Sequence, residues 1–283
     1  MRLIYQSGYS TTVHREGDEL LAESYLLSSV MEATATLRVD ASRFRVRHAR
    51  WDIYRSPGGS LNRGKELPQL NGIEAYFQEA RQLLQAVGDE GNGIPRELFN
   101  ECVNGIIQAE TFLYAERGFR SPREYEEFWE KFYTNSCRYY KHLERTTQTW
   151  YDFVGDPGRQ GRLFNRYKSC QVFRTMDGTL VANGSFVDSF HELGVSMLLD
   201  ASGLITAISG NFIRPPDQIC VESEKHLASL PGRFISDMSK KDVIAAVGGA
   251  EGCMHLMDIV NEVRKAAAAA LAEPRPDALG MLQ

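Results

Sequence analysis

The segment from Val247 to Leu256, read V-G-G-A-E-G-C-M-H-L, brings a thiol and an imidazole to the start of an amphipathic stretch. Helical periodicity follows from Met257 to Leu271, so Cys253 and His255 should lie at a helix N-terminus. There, unpaired N–H groups and the positive end of the helix dipole favour a thiolate over a thiol. We therefore expect Cys253 to act as a metal ligand or a nucleophile.

Two further side chains of metal-ligand type stand at the ends of predicted elements in the same half of the chain. His191 precedes a strand, and Cys220 opens a helix after Arg214-Pro215-Pro216. Two sulfurs and two imidazoles suit a tetrahedral ion, with zinc as the default and iron or an iron-sulfur cluster as the alternative. The sequence thus predicts a metal site formed by the side chains of His191, Cys220, Cys253 and His255.

Each of these residues also has an ordinary explanation. A free cysteine such as Cys220 is most often a small buried apolar residue. His191 could simply end a strand, and His255 could lie on the surface. The remaining cysteines have no ligand-type neighbours in a matching arrangement, and we assign them to packing: Cys102, Cys137 and Cys170.

Two carboxylates flank His191. Asp188 and Glu192 are the predicted catalytic residues, because a carboxylate beside a metal-binding imidazole either orients the ring or acts as a general base. Ordinary exposed strand ends explain both residues equally well.

The elements that must position these residues occur twice along the chain. Strands are predicted over 2–14, 20–30, 34–39 and 44–54, followed by helices over 73–87 and 96–116. Arg2-Leu3 lies 160 positions before Arg162-Leu163, and Asp40-Ala41-Ser42 lies 160 before Asp200-Ala201-Ser202. A constant offset between such short matches indicates an internal repeat. We predict a tandem duplication of an α+β unit.

The second copy is predicted to contain strands over 169–174, 179–187, 192–199 and 204–213, and helices over 220–229, 240–247 and 253–271. In the first copy the four ligand positions hold residues that rarely bind metals: Met31, Ser60, Gly93 and Pro95. The prediction is therefore that only the second copy carries a site and that the first copy covers it.

The predicted division has four parts. Residues 1–118 form the copy without ligands, 119–161 a helical insert, 162–272 the copy with the metal site, and 273–283 a flexible tail. The insert begins with Ser121-Pro122-Arg123-Glu124, which supplies an N-cap and a proline at the first helical position. Its tyrosines and His142 favour an enclosed pocket.

Composition limits the class of protein. The chain has 283 residues and a net charge of -5, which argues against a nucleic-acid partner. No apolar run approaches the ~20 residues of a membrane span, and the first residues lack a signal-peptide pattern. We expect a cytoplasmic protein with no membrane partner and with five reduced cysteines. A small-molecule substrate and a homo-oligomer remain open.

Several segments of the second copy resemble the NifU/IscU-type (SufE/NifU-like) iron-sulfur scaffold superfamily. Val195–Ile208 is similar to its strand, turn and strand, Cys220 to a helix-opening cysteine, and Cys253-Met254-His255-Leu256 to its last helix start. The segment 215–256 resembles more closely an uncharacterised bacterial family with a G-C-x-H-L segment. The resemblance implies an antiparallel sheet packed on helices, with the metal site at one end. His191 departs from it, because the scaffolds have a cysteine there.

Three functions follow from these observations. The first is a metal-dependent enzyme, with zinc or iron, that acts on a small molecule. The second is an iron-sulfur cluster scaffold or metal-delivery protein, and the third is an interaction module with a structural zinc site. The sequence favours the first function, but it does not exclude the other two, which are not enzymes.

Overall fold

A computed structural model of the chain describes residues 1–155 and 158–272. The predicted tail, 273–283, lies outside the described residues. Within them, no helix combines the length and the apolar character needed to cross a membrane.

The described residues contain one antiparallel sheet of nine strands. The strands are β1 (Arg2–Glu16), β2 (Glu19–Ser28), β3 (Glu32–Asp40), β4 (Val46–Arg55), β5 (Arg63–Glu66), β6 (Arg162–Arg174), β7 (Leu180–Asp188), β8 (Glu192–Leu199) and β9 (Ile205–Arg214). Their order across the sheet is β5-β4-β3-β2-β1-β6-β7-β8-β9. Alternation of apolar and polar residues produces these strands, as in β3, where every second residue from Ala33 to Val39 is buried.

The sheet consists of two meanders that meet at their first strands. β1 pairs with β6 along nearly its whole length, from Arg2 opposite Arg174 to His14 opposite Arg162. Strand order is therefore symmetric about this pair for four strands on either side. Each meander has its own hydrophobic cluster, and both clusters lie where helices cover the sheet.

Two long helices cover the sheet. Helix α2 (Ile94–Ala109) packs on β1, β2 and β3, and α7 (Met254–Ala272) packs on β6, β7 and β8. Five shorter α-helices complete the described chain: α1 (Phe77–Val87), α3 (Pro122–Phe132), α4 (Arg138–Lys141), α5 (Trp150–Val154) and α6 (Lys240–Ala246). In α3 the predicted N-cap is present, because the Ser121 hydroxyl accepts a hydrogen bond from the Glu124 N–H.

This architecture agrees with the predicted mixture of helices and strands, in which an antiparallel sheet packs on helices. The order of four strands followed by helices occurs in both halves, ending in α2 and in α7. The tandem duplication itself stays a prediction, and so does the division into separate parts, since both halves contribute to one sheet.

Several boundaries differ from expectation. The helices predicted over 73–87 and 96–116 are Phe77–Val87 and Ile94–Ala109. β6 begins at Arg162 rather than 169, because pairing with β1 extends it. A short strand, β5, pairs with β4 where none was predicted. The predicted helix over 220–229 is a 3-10 helix, Gln218–Ser229, that starts after the capping residue Asp217.

Close packing of α7 on β7 gives a test of this fold. A Cβ added at Gly184 would lie 2.4 Å from Val263 Cγ2 and 3.0 Å from Ile259 Cδ1. Gly184→Ala should therefore lower the free energy of unfolding by about 1–3 kcal/mol, measured by urea titration. Gly161→Ala is the control, since nothing lies within 4 Å of its added Cβ. Equal stabilities for the two variants would contradict the packing described here.

Candidate metal centre

The four predicted ligands line one cavity of about 110 Å³. His191, Cys220, Cys253 and His255 come to it from three separate stretches of the second half. The insert supplies aromatic side chains opposite them, and the C-terminal end of α2 supplies Ile107 and Gln108. The cavity thus lies between the two halves and the insert.

The turn between β7 and β8 fixes the His191 ring. Asp188 Oδ1 accepts hydrogen bonds from the backbone N–H groups of Phe190 (2.8 Å) and His191 (2.7 Å). The same oxygen lies 3.1 Å from His191 Nδ1. A contact of this kind favours the tautomer with the proton on Nδ1, which leaves Nε2 as the nitrogen able to bind a metal.

The other carboxylate oxygen of Asp188 faces a buried cation. Asp188 Oδ2 lies 3.1 Å from Arg166 Nη2, and both side chains are buried. Burial alone would raise the pKa of Asp188, but His191 and Arg166 outweigh it and hold that pKa well below its usual range. Asp188 is therefore an anion with both oxygens occupied, placed behind His191 as an orienting group.

His255, in the first turn of α7, lies against His191. The two ring centroids are 3.8 Å apart with an interplanar angle of 33°. Burial lowers the pKa of His255 well below its ordinary value, and the neighbouring His191 lowers it further. His255 is therefore neutral at pH 7, the form that binds metals. Ligand atoms of Asp188, His191 and His255 all lie within 4.8 Å of one another.

Cys253 immediately precedes α7, as predicted, and its Sγ lies 3.9 Å from His255 Nδ1. The prediction that Cys253 is a thiolate is wrong for the protein without a bound cation. Burial raises the pKa of Cys253 to about 12 and outweighs the hydrogen bonds from the Leu256 and His255 N–H groups. Burial, with Cys253 nearby, also raises the pKa of Cys220. A bound cation would reverse this, since it favours the thiolate.

The structure does not bring every predicted residue to this group. Glu192 is the first residue of β8 and is not among the residues that line the cavity. Among the described residues, the set that meets the 4.8 Å distance contains Asp188 and the two histidines but neither cysteine. The predicted set of two sulfurs and two imidazoles thus shares one cavity, and its coordination stays a prediction.

Sequence reasoning missed Cys137. It was assigned to packing, yet it lines the same cavity as Cys220 and Cys253. Cys137 lies in the insert at the start of α4. The two other thiols at the cavity belong to the second half, so sequence spacing gave no signal.

Buried and charged contacts hold the insert over the cavity. Asp217 Oδ2 accepts hydrogen bonds from the Thr147 N–H (2.7 Å) and hydroxyl (2.8 Å). Arg138 pairs with Glu222 and with Glu251, the latter at 3.2 Å. His142, expected at the pocket, is instead 3.1 Å from the Glu251 carboxylate and does not line the cavity. Contacts with the second half therefore hold the insert over the cavity.

Comparison with known proteins identifies one part of the chain. Residues 164–269 match the family described as protein of unknown function (DUF2889). This range contains all the predicted ligands and neither the first meander nor the insert. No curated protein matches the chain. No solved structure matches it either.

The resemblance to NifU/IscU-type or SufE scaffolds is wrong, because no family model of those scaffolds matches and the one that does is DUF2889. A strand-turn-strand followed by a cysteine at a helix start is too general a pattern to identify that superfamily. The similarity to an uncharacterised family agrees with the match.

The Asp188–Arg166 pair gives a prediction about stability. Asp188→Asn removes the charge while keeping the shape, and leaves the buried Arg166 without its nearest anion. We expect the free energy of unfolding to fall by about 3–5 kcal/mol in urea titrations. Asp18→Asn, at an exposed turn, should change it by less than about 0.5 kcal/mol. Glu101 Oε2 lies 3.6 Å from Arg166 Nη1, so a small effect of Asp188→Asn would show that Glu101 alone compensates Arg166.

Proposed function

We propose that the cavity binds one transition-metal ion, zinc or iron, and that the protein is a metal-dependent enzyme acting on a small molecule. One observation carries this proposal. Two imidazoles in contact, one of them held by a buried aspartate, share a cavity with the thiols of Cys220 and Cys253. Among the described side chains, this is where nitrogen and sulfur ligands converge.

The charges of the site support a metal over a bare nucleophile. A cysteine nucleophile needs a thiolate stabilised by an imidazolium, yet here the pKa of Cys253 is raised and that of His255 is lowered. The pair is therefore thiol and neutral imidazole. A metal ion would displace the thiol protons and use both imidazoles, so the same burial that disfavours thiolate chemistry suits metal binding.

We draw the ligands from His191, His255, Cys253 and Cys220, with fewer than four of them bound at once so that one position stays open for water or substrate. Asp188 has a positioning role. The predicted general base Glu192 has no part in this proposal, because it is not at the cavity. A bound zinc or iron ion would polarise a substrate oxygen or lower the pKa of a bound water. Asp188 would hold His191 in the orientation that binds the metal.

The cavity favours an enzyme over the other two functions. A structural zinc site closes its shell with four ligands and has no need of a cavity beside them. A carrier needs an exposed metal, whereas the insert covers this one through Asp217 and Arg138. Space for a small molecule next to the ligands is what a catalytic site requires.

We also propose that the two halves arose by tandem duplication. In its support, β1 to β4 and α2 recur as β6 to β9 and α7 in the same order. Residues near the ligand positions in the first half, such as Gly93 and Pro95 at the start of α2, offer no metal-binding side chain.

Metal analysis tests the proposal. Protein purified without chelators or a metal affinity column should contain about one zinc or iron per chain by mass spectrometry. The double variant Cys220→Ala, Cys253→Ala and the variant His191→Ala should each lose it. Cys170→Ala, which removes a buried thiol from β6, should keep the metal. Absence of metal from the wild-type protein, including after anaerobic purification, would refute the site.

Chelation separates an enzyme from a structural site. The two hydrophobic clusters contain most of the buried apolar side chains, and of the two proposed thiol ligands they include Cys253 but not Cys220. We therefore expect the circular dichroism spectrum to survive removal of the metal, with loss of less than about a third of the unfolding free energy. Unfolding of the second half on chelation would instead indicate a structural zinc site.

A further inference from the structure

Aromatic side chains of the insert form one wall of the cavity, called here the aromatic wall. Tyr133 stacks on Trp129 with centroids 4.7 Å apart and on Tyr140 at 5.3 Å. Tyr139 meets Tyr140 edge to face at 5.1 Å. All four rings line the cavity and come from the insert. Ring faces that this stacking leaves open to the cavity attract organic cations through the ring quadrupole.

Two carboxylates lie beside this wall. Glu126 and Glu130 both line the cavity and stand one turn apart on α3, so their like charges oppose each other. The Glu126 carboxylate accepts a hydrogen bond from the backbone N–H of Trp150. The Glu130 carboxylate has no hydrogen bond or ion pair within residues 1–155 and 158–272, and burial together with Glu126 raises its pKa.

The cavity provides no cation of its own for these carboxylates. Of the described residues that line it, none is lysine or arginine. The nearby Arg138 is already paired with Glu222 and Glu251. A positively charged ligand would therefore supply what the wall and the carboxylates lack.

An unpartnered donor points independently to a ligand. Trp129 is only 9% exposed, and its indole N–H finds no acceptor among the described residues. A buried donor left unpaired is unfavourable, so a ligand oxygen that accepted this hydrogen bond would stabilise the complex. The ligand that fits carries both a positive charge and an oxygen acceptor.

We propose that the aromatic wall of the cavity, together with Glu126 and Glu130, binds the ammonium group of a small amino alcohol or similar organic amine. This binding needs only the insert and the cavity. The additional statement that such an amine is the substrate rests on the proposed function. A divalent ion bound by two thiolates and by neutral imidazole has no net charge, so the metal centre would not repel the ammonium group.

A pair of probes with the same shape tests the charge requirement. Choline and 3,3-dimethyl-1-butanol differ in the quaternary nitrogen, which the second compound replaces with carbon. Binding to the full chain is followed by calorimetry and by fluorescence, because Trp129 and Trp150 line the cavity. Choline should bind at least tenfold more tightly than the neutral alcohol. Equal affinity, or no saturable binding of choline, would overturn the proposal.

Two variants on α3 locate the site. Glu130→Gln removes the unpaired charge at constant size and should weaken choline binding at least fivefold while leaving the neutral alcohol unchanged. Glu127→Gln is the matched control, because Glu127 is exposed and pairs with Arg123 at 2.9 Å. It should bind choline as the wild type does. Equal losses in the two variants would show that choline binds elsewhere.

The same titration distinguishes this inference from the proposed function. Choline binding is measured again on wild-type protein treated with chelator and on the Cys220→Ala, Cys253→Ala variant, and it should persist in both within threefold. If choline binds but the wild-type protein purified without chelator contains no metal, the metal enzyme is refuted and the cation site is supported. A stoichiometric metal without choline binding would refute the cation site alone.

Discussion

The antiparallel pairing of β1 with β6 is the constraint on which the rest of the structure depends. Each meander alone would leave its first strand as an unpaired edge. Pairing joins the two edges and makes one sheet in which α2 and α7 cover adjacent strands. The residues between these helices are buried by both halves at once, and the cavity forms where the halves and the insert meet.

Buried charged side chains connect the two halves where β1 pairs with β6. Lys168 Nζ on β6 lies 2.9 Å from Glu101 Oε1 on α2 and 3.0 Å from Asp258 Oδ2 on α7. Burial alone would lower the pKa of Lys168, but the two carboxylates outweigh it and raise that pKa. A buried ion pair of this kind adds little net stability, because desolvation offsets the attraction. The pair instead selects one arrangement of the two halves, because each charge would be left unpaired in any other arrangement.

The series of buried ion pairs continues to the candidate metal centre. Arg166, two residues before Lys168 on the same face of β6, lies 3.6 Å from Glu101 and 3.1 Å from Asp188. Asp188 then holds the His191 ring. A side chain on α2 of the first half is thereby linked, through three buried contacts, to a predicted metal ligand of the second. The first half carries no ligand, yet it contributes to the position of one.

The local pattern of the sequence determined much of this protein. Alternating burial produced the strands, Ser121 and Pro122 began α3, and Cys253 and His255 began α7, because periodicity and capping depend on residues within one or two turns. The α+β composition and the approach of His191, Cys220, Cys253 and His255 to one cavity followed from element order. The same local patterns misled the family assignment, since short strand-turn-strand and cysteine-helix segments occur in unrelated folds.

Only the tertiary structure decided the rest. The thiol protonation of Cys253 depends on burial, which sequence spacing does not report. Arg138 meets Glu251 across 113 residues of chain, and Lys168 meets Asp258 across 90. Cys137 and the aromatic wall reach the cavity because the insert folds back over the second half. These features arise from contacts between segments that are far apart in the chain. Such contacts form only when the halves assemble, so the local periodicity of the sequence does not predict them.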